Sequence, residues 1–312
     1  LALERAMTET RNARATGDPA CYERALEALD EARAREPTRA RIALVEAWVR
    51  LGRHEFALAE SLAAAQLARE PDDPDAWALL GDARLELGRY GEAADAYERA
   101  MQLRPGPGSY VRAAHYRQAT GDLHGASRFY RAALDGADRR DAEGRAWLLV
   151  QLASLEVERN EPVAAEALLD EALRAVPEYH SALAALSDVH LRTGRAATAL
   201  ELADRSLAVA PHAERHLLRA DALRALGREA EARAAEEEFE RAAAANVTHP
   251  DNENNHLVDF YLDRRPDPER ALEIARAEAK RRPDAPTLER LARALQRNGF
   301  VEEARAVRAD SG

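Results

Sequence analysis

Cysteine is almost absent from this chain. Cys21 stands alone, so no internal disulfide can form, and a structural zinc site built on several thiolates is ruled out. Lysine is equally scarce: Lys280 is the single example, and arginine carries nearly all of the positive charge. Aromatic residues make up 5% of the sequence, too few to fill one large compact core, and valine and isoleucine are sparse. No apolar run approaches the roughly 18 residues of a membrane-spanning helix. The net charge of -11 leaves no basic stripe with which to displace counterions from duplex nucleic acid. Signatures of catalysis are missing too. Neither G-x4-G-K-[ST] nor G-x-G-x-x-G occurs, and H-E-x-x-H is absent; Gly106 and Gly108 lie in a Pro-Gly-Pro-Gly stretch with no strand before it.

What remains is a helix-forming composition. Of 312 residues, 46% are apolar, chiefly alanine and leucine, and 32% are charged, chiefly glutamate and arginine. All four residue types favour helix, which makes an all-α chain the first expectation. The chain opens on Leu1 rather than methionine, so a trimmed N-terminus is expected and the lack of a targeting segment excludes nothing.

A period of about 34 residues runs through the sequence. In its clearest unit, Trp77, Leu80 and Gly81 share one helical face, Leu87-Gly88-Arg89-Tyr90 makes a turn, Ala93, Tyr97 and Ala100 share a second face, and Pro105 stops the second helix. Gly52, Gly88, Gly121, Gly194, Gly227 and Gly299 are each followed five residues later by alanine. Asn160 and Pro266 replace the glycine in two further units, before Ala165 and Ala271. Asparagine is the best substitute for a left-handed helix cap, whereas Pro266 requires a differently shaped turn. Helix pairs are expected to begin near Leu3, Thr38, Pro74, Pro107, Ala146, His180, Ala213, Asn252 and Ala285. Candidate breaks fall at 105–108, 136–144 and 246–255, where glycine, proline or asparagine cluster, and residues 1–312 are read as one array.

Trp77, Leu80, Gly81, Ala93, Tyr97 and Pro105 resemble the tetratricopeptide (TPR) signature, with Arg84 in place of its tyrosine. The resemblance implies an all-α fold: a right-handed TPR superhelix, or α-solenoid, of about nine helix-turn-helix repeats. A narrower resemblance, to bacterial and often exported multi-TPR proteins of unassigned function, rests on Ser109-Tyr110-Val111-Arg112, Gly121 to Ala126, Phe260 to Asp263 and Pro268 to Leu272. It implies a bacterial origin and a periplasmic or cell-surface location, with the cytoplasm as the alternative.

In TPR proteins the first helix of each pair lines a concave groove. Carried onto this chain, the groove positions are Glu46, Asp82, His115, Ser154, Asp188, Asp221, Phe260 and Arg293. Trp147, two residues before the tryptophan-equivalent Leu149, is a second aromatic candidate beside Phe260, whereas Trp48 and Trp77 take core positions. Four of the first six groove residues are acidic, which would suit a basic partner segment; acidic residues at this position are also ordinary consensus usage facing neighbouring helices. The lysine clamp with which some TPR proteins hold chaperone tails has no counterpart before Lys280.

Two histidine groups remain. His212 and His216 are spaced for one helix face, and His249, Asp251 and His256 surround the asparagine-rich stretch, which also contains the sequon Asn246-Val247-Thr248. Neither group fixes a complete ligand set, so no metal or cofactor is expected. The expected function is that of a non-enzymatic scaffold binding a protein or peptide. Self-assembly through Leu288, Leu291 and Leu295 is the alternative.

Overall fold

The computed structural model describes residues 1–16, 18, 20–36, 40–248 and 254–310. The expected start points Thr38 and Asn252, and the residues His249 and Asp251, lie outside that set. The described residues form eighteen α-helices and no strand. In chain order these are α1 (Ala2–Thr16), α2 (Ala20–Arg35), α3 (Ala40–Gly52), α4 (Phe56–Leu67), α5 (Pro74–Glu86) and α6 (Tyr90–Leu103). There follow α7 (Pro107–Ala119), α8 (Leu123–Gly136), α9 (Ala142–Glu158), α10 (Pro162–Ala175), α11 (His180–Arg192) and α12 (Ala196–Val209). The last six are α13 (Ala213–Ala225), α14 (Glu229–Ala245), α15 (Asn254–Asp263), α16 (Pro268–Arg281), α17 (Ala285–Arg297) and α18 (Val301–Asp310).

Five hairpins begin at the expected residue: Pro74, Pro107, His180, Ala213 and Ala285. The α9 helix begins earlier than Ala146, at Ala142, because Asp141 caps it by accepting from the Gly144 amide at 2.9 Å. That cap shortens the charged connection after α8.

Within the hairpins the turn chemistry follows the spacing of small residues. Gly88, Gly121, Gly194, Gly227 and Gly299 take φ values between 71° and 84°, and Asn160 takes the same left-handed conformation at 60°. Gly52 does not. There α3 continues through the glycine and His54 makes the left-handed step at 57°, while Gly52 lies where the Tyr22 ring presses against the helix. After α15, Asp267 donates its amide to the Tyr261 carbonyl at 2.9 Å, so the turn through Pro266 closes without a left-handed residue.

The helices fall into two compact units, residues 1–10, 22–99 and 240–312 in one, and 11–21 and 100–239 in the other. In the second unit a continuous core runs from Ala114, Tyr130 and Leu155 through Leu149, Leu169 and Leu183 to Leu202. The first unit has cores around Leu29, Ile42 and Val49 and around Ala47, Leu79 and Leu80. Trp48 and Trp77 pack against the latter, and the Trp77 indole donates to the Pro71 carbonyl at 2.7 Å, so both are structural. Alanine dominates these cores because helix pairs that cross closely leave no room for more; a Cβ on Gly81 would meet the Tyr97 ring.

Candidate partner-binding face

In the second unit, the first helices α9, α11 and α13 touch side by side, and each buries one face against its second helix and neighbours. Beside that face, α9 carries Trp147, Val150, Gln151 and Val157, all half-buried, and Ser154, which is exposed. These recur at helical i, i+3, i+4 spacing. The matching faces of α11 and α13 carry Ala185, Asp188 and Leu191, and Leu217, Leu218 and Asp221. The expected groove residues Ser154, Asp188 and Asp221 lie on these faces, and the aliphatic residues beside them were not among those expected. Their signal is a second set of apolar residues at the margin of the face that buries Leu149, Leu152 and Ala153; Trp147, Val150 and Val157 lean partly against that core and leave the rest of their surface open.

Trp147 and His115 are brought together, with ring centroids 5.7 Å apart and edge-on, and His115 also meets the Tyr130 ring at 5.6 Å. The acidic candidates each have a partner within the chain. Asp188 accepts from Arg192 at 2.7 Å and Asp221 from Arg224 at 3.3 Å. In the first unit Glu46 is bound by Arg50 at 3.0 Å and by Arg33, and Asp82 accepts from the Tyr97 hydroxyl at 3.1 Å. Three of the four carboxylates therefore have a guanidinium beside them, which cancels most of the field they would project.

Phe260 is not a groove residue. It is 1% exposed, so its ring belongs to the core. The outward position on α15 is Asp259, which accepts from Arg293 at 2.9 Å and Arg290 at 2.8 Å; Arg293 also holds Asp263 at 2.7 Å. The one-residue offset has a simple cause. Asp259 lies 34 residues before Arg293, the repeat length, whereas the asparagine-rich insertion had blurred the phase.

Titratable groups in the second unit are mostly paired. Glu166 accepts two hydrogen bonds from Arg195, both 2.6 Å, and the His190 Nε2 lies 3.6 Å from the same carboxylate. The Arg195 bonds hold the Glu166 carboxyl below the usual range. Burial holds His190 below its usual range and Arg195 adds to this, while Glu166 and Asp170 oppose it. Burial likewise lowers His216, with Glu238 in opposition. Both rings thus take up a proton at lower pH in the folded unit than in the unfolded chain. Their contribution to stability is therefore complete above the unfolded value near 6.5 and is lost as pH falls through the lower folded value. Urea midpoints should drop between about pH 8 and about pH 5, less steeply in His190→Gln; parallel curves would remove His190 from this account.

His212 does not join His216 around a common centre; its ring lies against His180, centroids 5.6 Å apart. Among the described residues no group of three or more His, Cys, Asp or Glu is placed to hold a metal ion, and no helix is long and apolar enough to cross a membrane. A groove of about 640 Å³ opens over Glu269, Leu272, Glu273, Arg276, Lys280 and Phe300.

The Tetratricopeptide repeat profile matches residues 44–109, 150–214 and 185–247. No curated protein sequence matches. Among solved structures, the chain is similar to the APC/C hetero-tetramer Cut9–Hcn1, with a TM-score of 0.65 at 15% identity over 94% of this chain. It spans 55% of the length of that relative. The human IFIT1 dimer with PPP-AAAA gives a TM-score of 0.57 at 15% identity, covering 93% of this chain and 78% of that one. PilW, a type IV pilus biogenesis factor, gives 0.55 at 18% identity, covering 69% of this chain and 96% of that one. At such identities these likenesses speak for the fold alone. The matched segments take in more than half of the sequence and the helical hairpins account for the rest of the described fold, so the chain belongs to the tetratricopeptide repeat family.

Proposed function

We propose that this chain is a non-catalytic adaptor that holds a segment of a protein partner along the open face of α9, α11 and α13. TPR proteins generally mediate protein–protein interactions. The observation that carries the reading here is the half-open aliphatic ribbon beside Trp147, running over Val150 and Val157 to Leu191, Leu217 and Leu218. Half-buried apolar groups next to an aromatic ring are what anchor side chains of a bound segment require. His115 positions Trp147, and Ser154, Asp188 and Asp221 offer hydrogen-bonding groups along its path.

An arginine-bearing segment suits this face, because a partner guanidinium could take the place of Arg192 at Asp188 or Arg224 at Asp221. Such an exchange sets specificity more than affinity. Within the first unit, taken by itself, Glu46 on α3 offers the same exchange in place of Arg50 or Arg33, and Asp82 on α5 offers an acceptor shared with Tyr97. For the self-assembly alternative, Leu291 and Leu295 are 9% and 0% exposed and serve the core, which leaves half-buried Leu288 as the one of the three leucines that a second copy could reach.

Peptides selected from a random library against the intact chain test the reading. Trp147→Ala should weaken the best binder about tenfold or more with far-UV helicity unchanged. Asp188→Arg with Asp221→Arg should alter which sequences are selected. Binding indifferent to both sets of changes would place the partner elsewhere.

A further inference from the structure

The turn between α16 and α17 does not stop at its own hairpin. It reaches the turn between α5 and α6, in the same compact unit but 195 residues away in sequence. Three contacts make the junction. Arg282 Nη2 lies 2.8 Å from Glu86 Oε2, and its Nε lies 2.8 Å from Asp284 Oδ2. The Ala285 amide donates to the Tyr90 hydroxyl at 2.9 Å. The Pro283 carbonyl lies so close to Gly88 that any Cβ there would collide with it. The Arg282 guanidinium also stands 5.8 Å from the centre of the Phe56 ring.

The first turn of α17 shows why this contact forms. A helix N-terminus presents amides with no partner inside the helix. At α17, Pro286 has no amide hydrogen, Thr287 donates to the Asp284 carboxylate at 2.9 Å, and Leu288 donates to the Asp284 carbonyl at 2.9 Å. Ala285 is left over, and its acceptor is Tyr90. Only a residue from a distant repeat completes the set.

We infer that the α16–α17 turn is a releasable strap on the α5–α6 turn. The hairpins on either side are held by buried alanine and leucine, including Leu79 and Leu80 on one and Leu291 and Leu295 on the other. Besides the close approach of Pro283 to Gly88 and the Arg282–Phe56 contact, the junction has one hydrogen bond and one ion pair, whose side chains are 29% and 30% exposed. It therefore opens before the hairpins do, and opening frees Glu86, which lies one turn beyond Asp82 on α5. Because a partly exposed ion pair is screened by salt, the strap loosens as ionic strength rises.

Amide exchange at Ala285, followed by NMR on the full chain, reads the strap directly. Tyr90→Phe removes the acceptor and Glu86→Gln removes the charge, and both leave the α16–α17 turn chemically unchanged. Each should speed exchange at Ala285 about five- to tenfold while amides in the middle of α5 and α17 keep their wild-type rates. Raising salt to about 1 M should speed Ala285 exchange in the wild type but not in Glu86→Gln. Unchanged exchange in both variants would show that the strap is not closed in solution. Accelerated exchange throughout α15–α18 in both would show that the junction is an integral part of the fold, and would equally overturn the proposal.

Discussion

Leu183→Ala is expected to lower the unfolding free energy by about 3 kcal/mol. Leu183 on α11 is fully buried, in a cluster with Leu149, Ala153, Leu169 and Ala172. Half of those neighbours are already alanine, and an alanine methyl cannot lean into a vacated space as a longer side chain could. The cavity should persist, adding its own cost to the lost transfer free energy. Leu217, half-buried on the open face of α13, provides the contrast, and Leu217→Ala should cost under about 1 kcal/mol. Urea unfolding at neutral pH separates the two, with the midpoint shifting and the slope held. Equal costs at the two positions would mean that the buried and open faces of the first helices have been assigned wrongly.

Glu278→Ala is expected to cost nearly as much, about 3 kcal/mol, for an electrostatic reason. This carboxylate on α16 is 4% exposed. It accepts from Arg281 at 3.0 and 3.1 Å and from the Asn254 amide group at 3.1 Å. Truncation removes both Arg281 bonds and one of two from the Asn254 amide group, which keeps the Val247 carbonyl at 3.1 Å, and the cost comes from stranding these donors rather than from the worth of the pair. Removing Arg281 as well should recover part of the loss, so that Glu278→Ala with Arg281→Ala costs less than the sum of the two. Glu273, exposed on the same helix, should tolerate alanine within about 0.5 kcal/mol. If Glu278→Ala proved as mild as Glu273→Ala, the carboxylate would have to be hydrated rather than enclosed.

The hairpins were legible because their determinants are local. A left-handed residue at Gly88, Gly194 or Asn160 is fixed by two or three neighbouring peptides, so its position in the sequence is its position in the turn. Gly52 shows where that logic ends. Its spacing to Ala57 matched the other units, yet the Tyr22 ring from the preceding hairpin decided its role, and the turn moved to His54. Phe260 failed for a related reason. The asparagine-rich insertion interrupts the sequence period before α15, and the structure sets the phase by the pairing of Asp259 with Arg290 and Arg293 on the next first helix. The acidic groove positions were visible as residues but not as charges, because a sequence does not show that Arg192 turns back onto Asp188. Nothing local to Tyr90 announces Ala285.

That last bond bears on the order of events during folding. Each hairpin can form from some 34 consecutive residues, so the early steps need no long search. Joining Tyr90 to Ala285 means closing a loop of 195 residues, whose entropic cost must be met before the bond returns anything. A ribosome would have released the Tyr90 segment long before its mate emerged. The two turns can therefore join only after both segments have been made, and until they do the Ala285 amide at the α17 N-terminus has water as its acceptor.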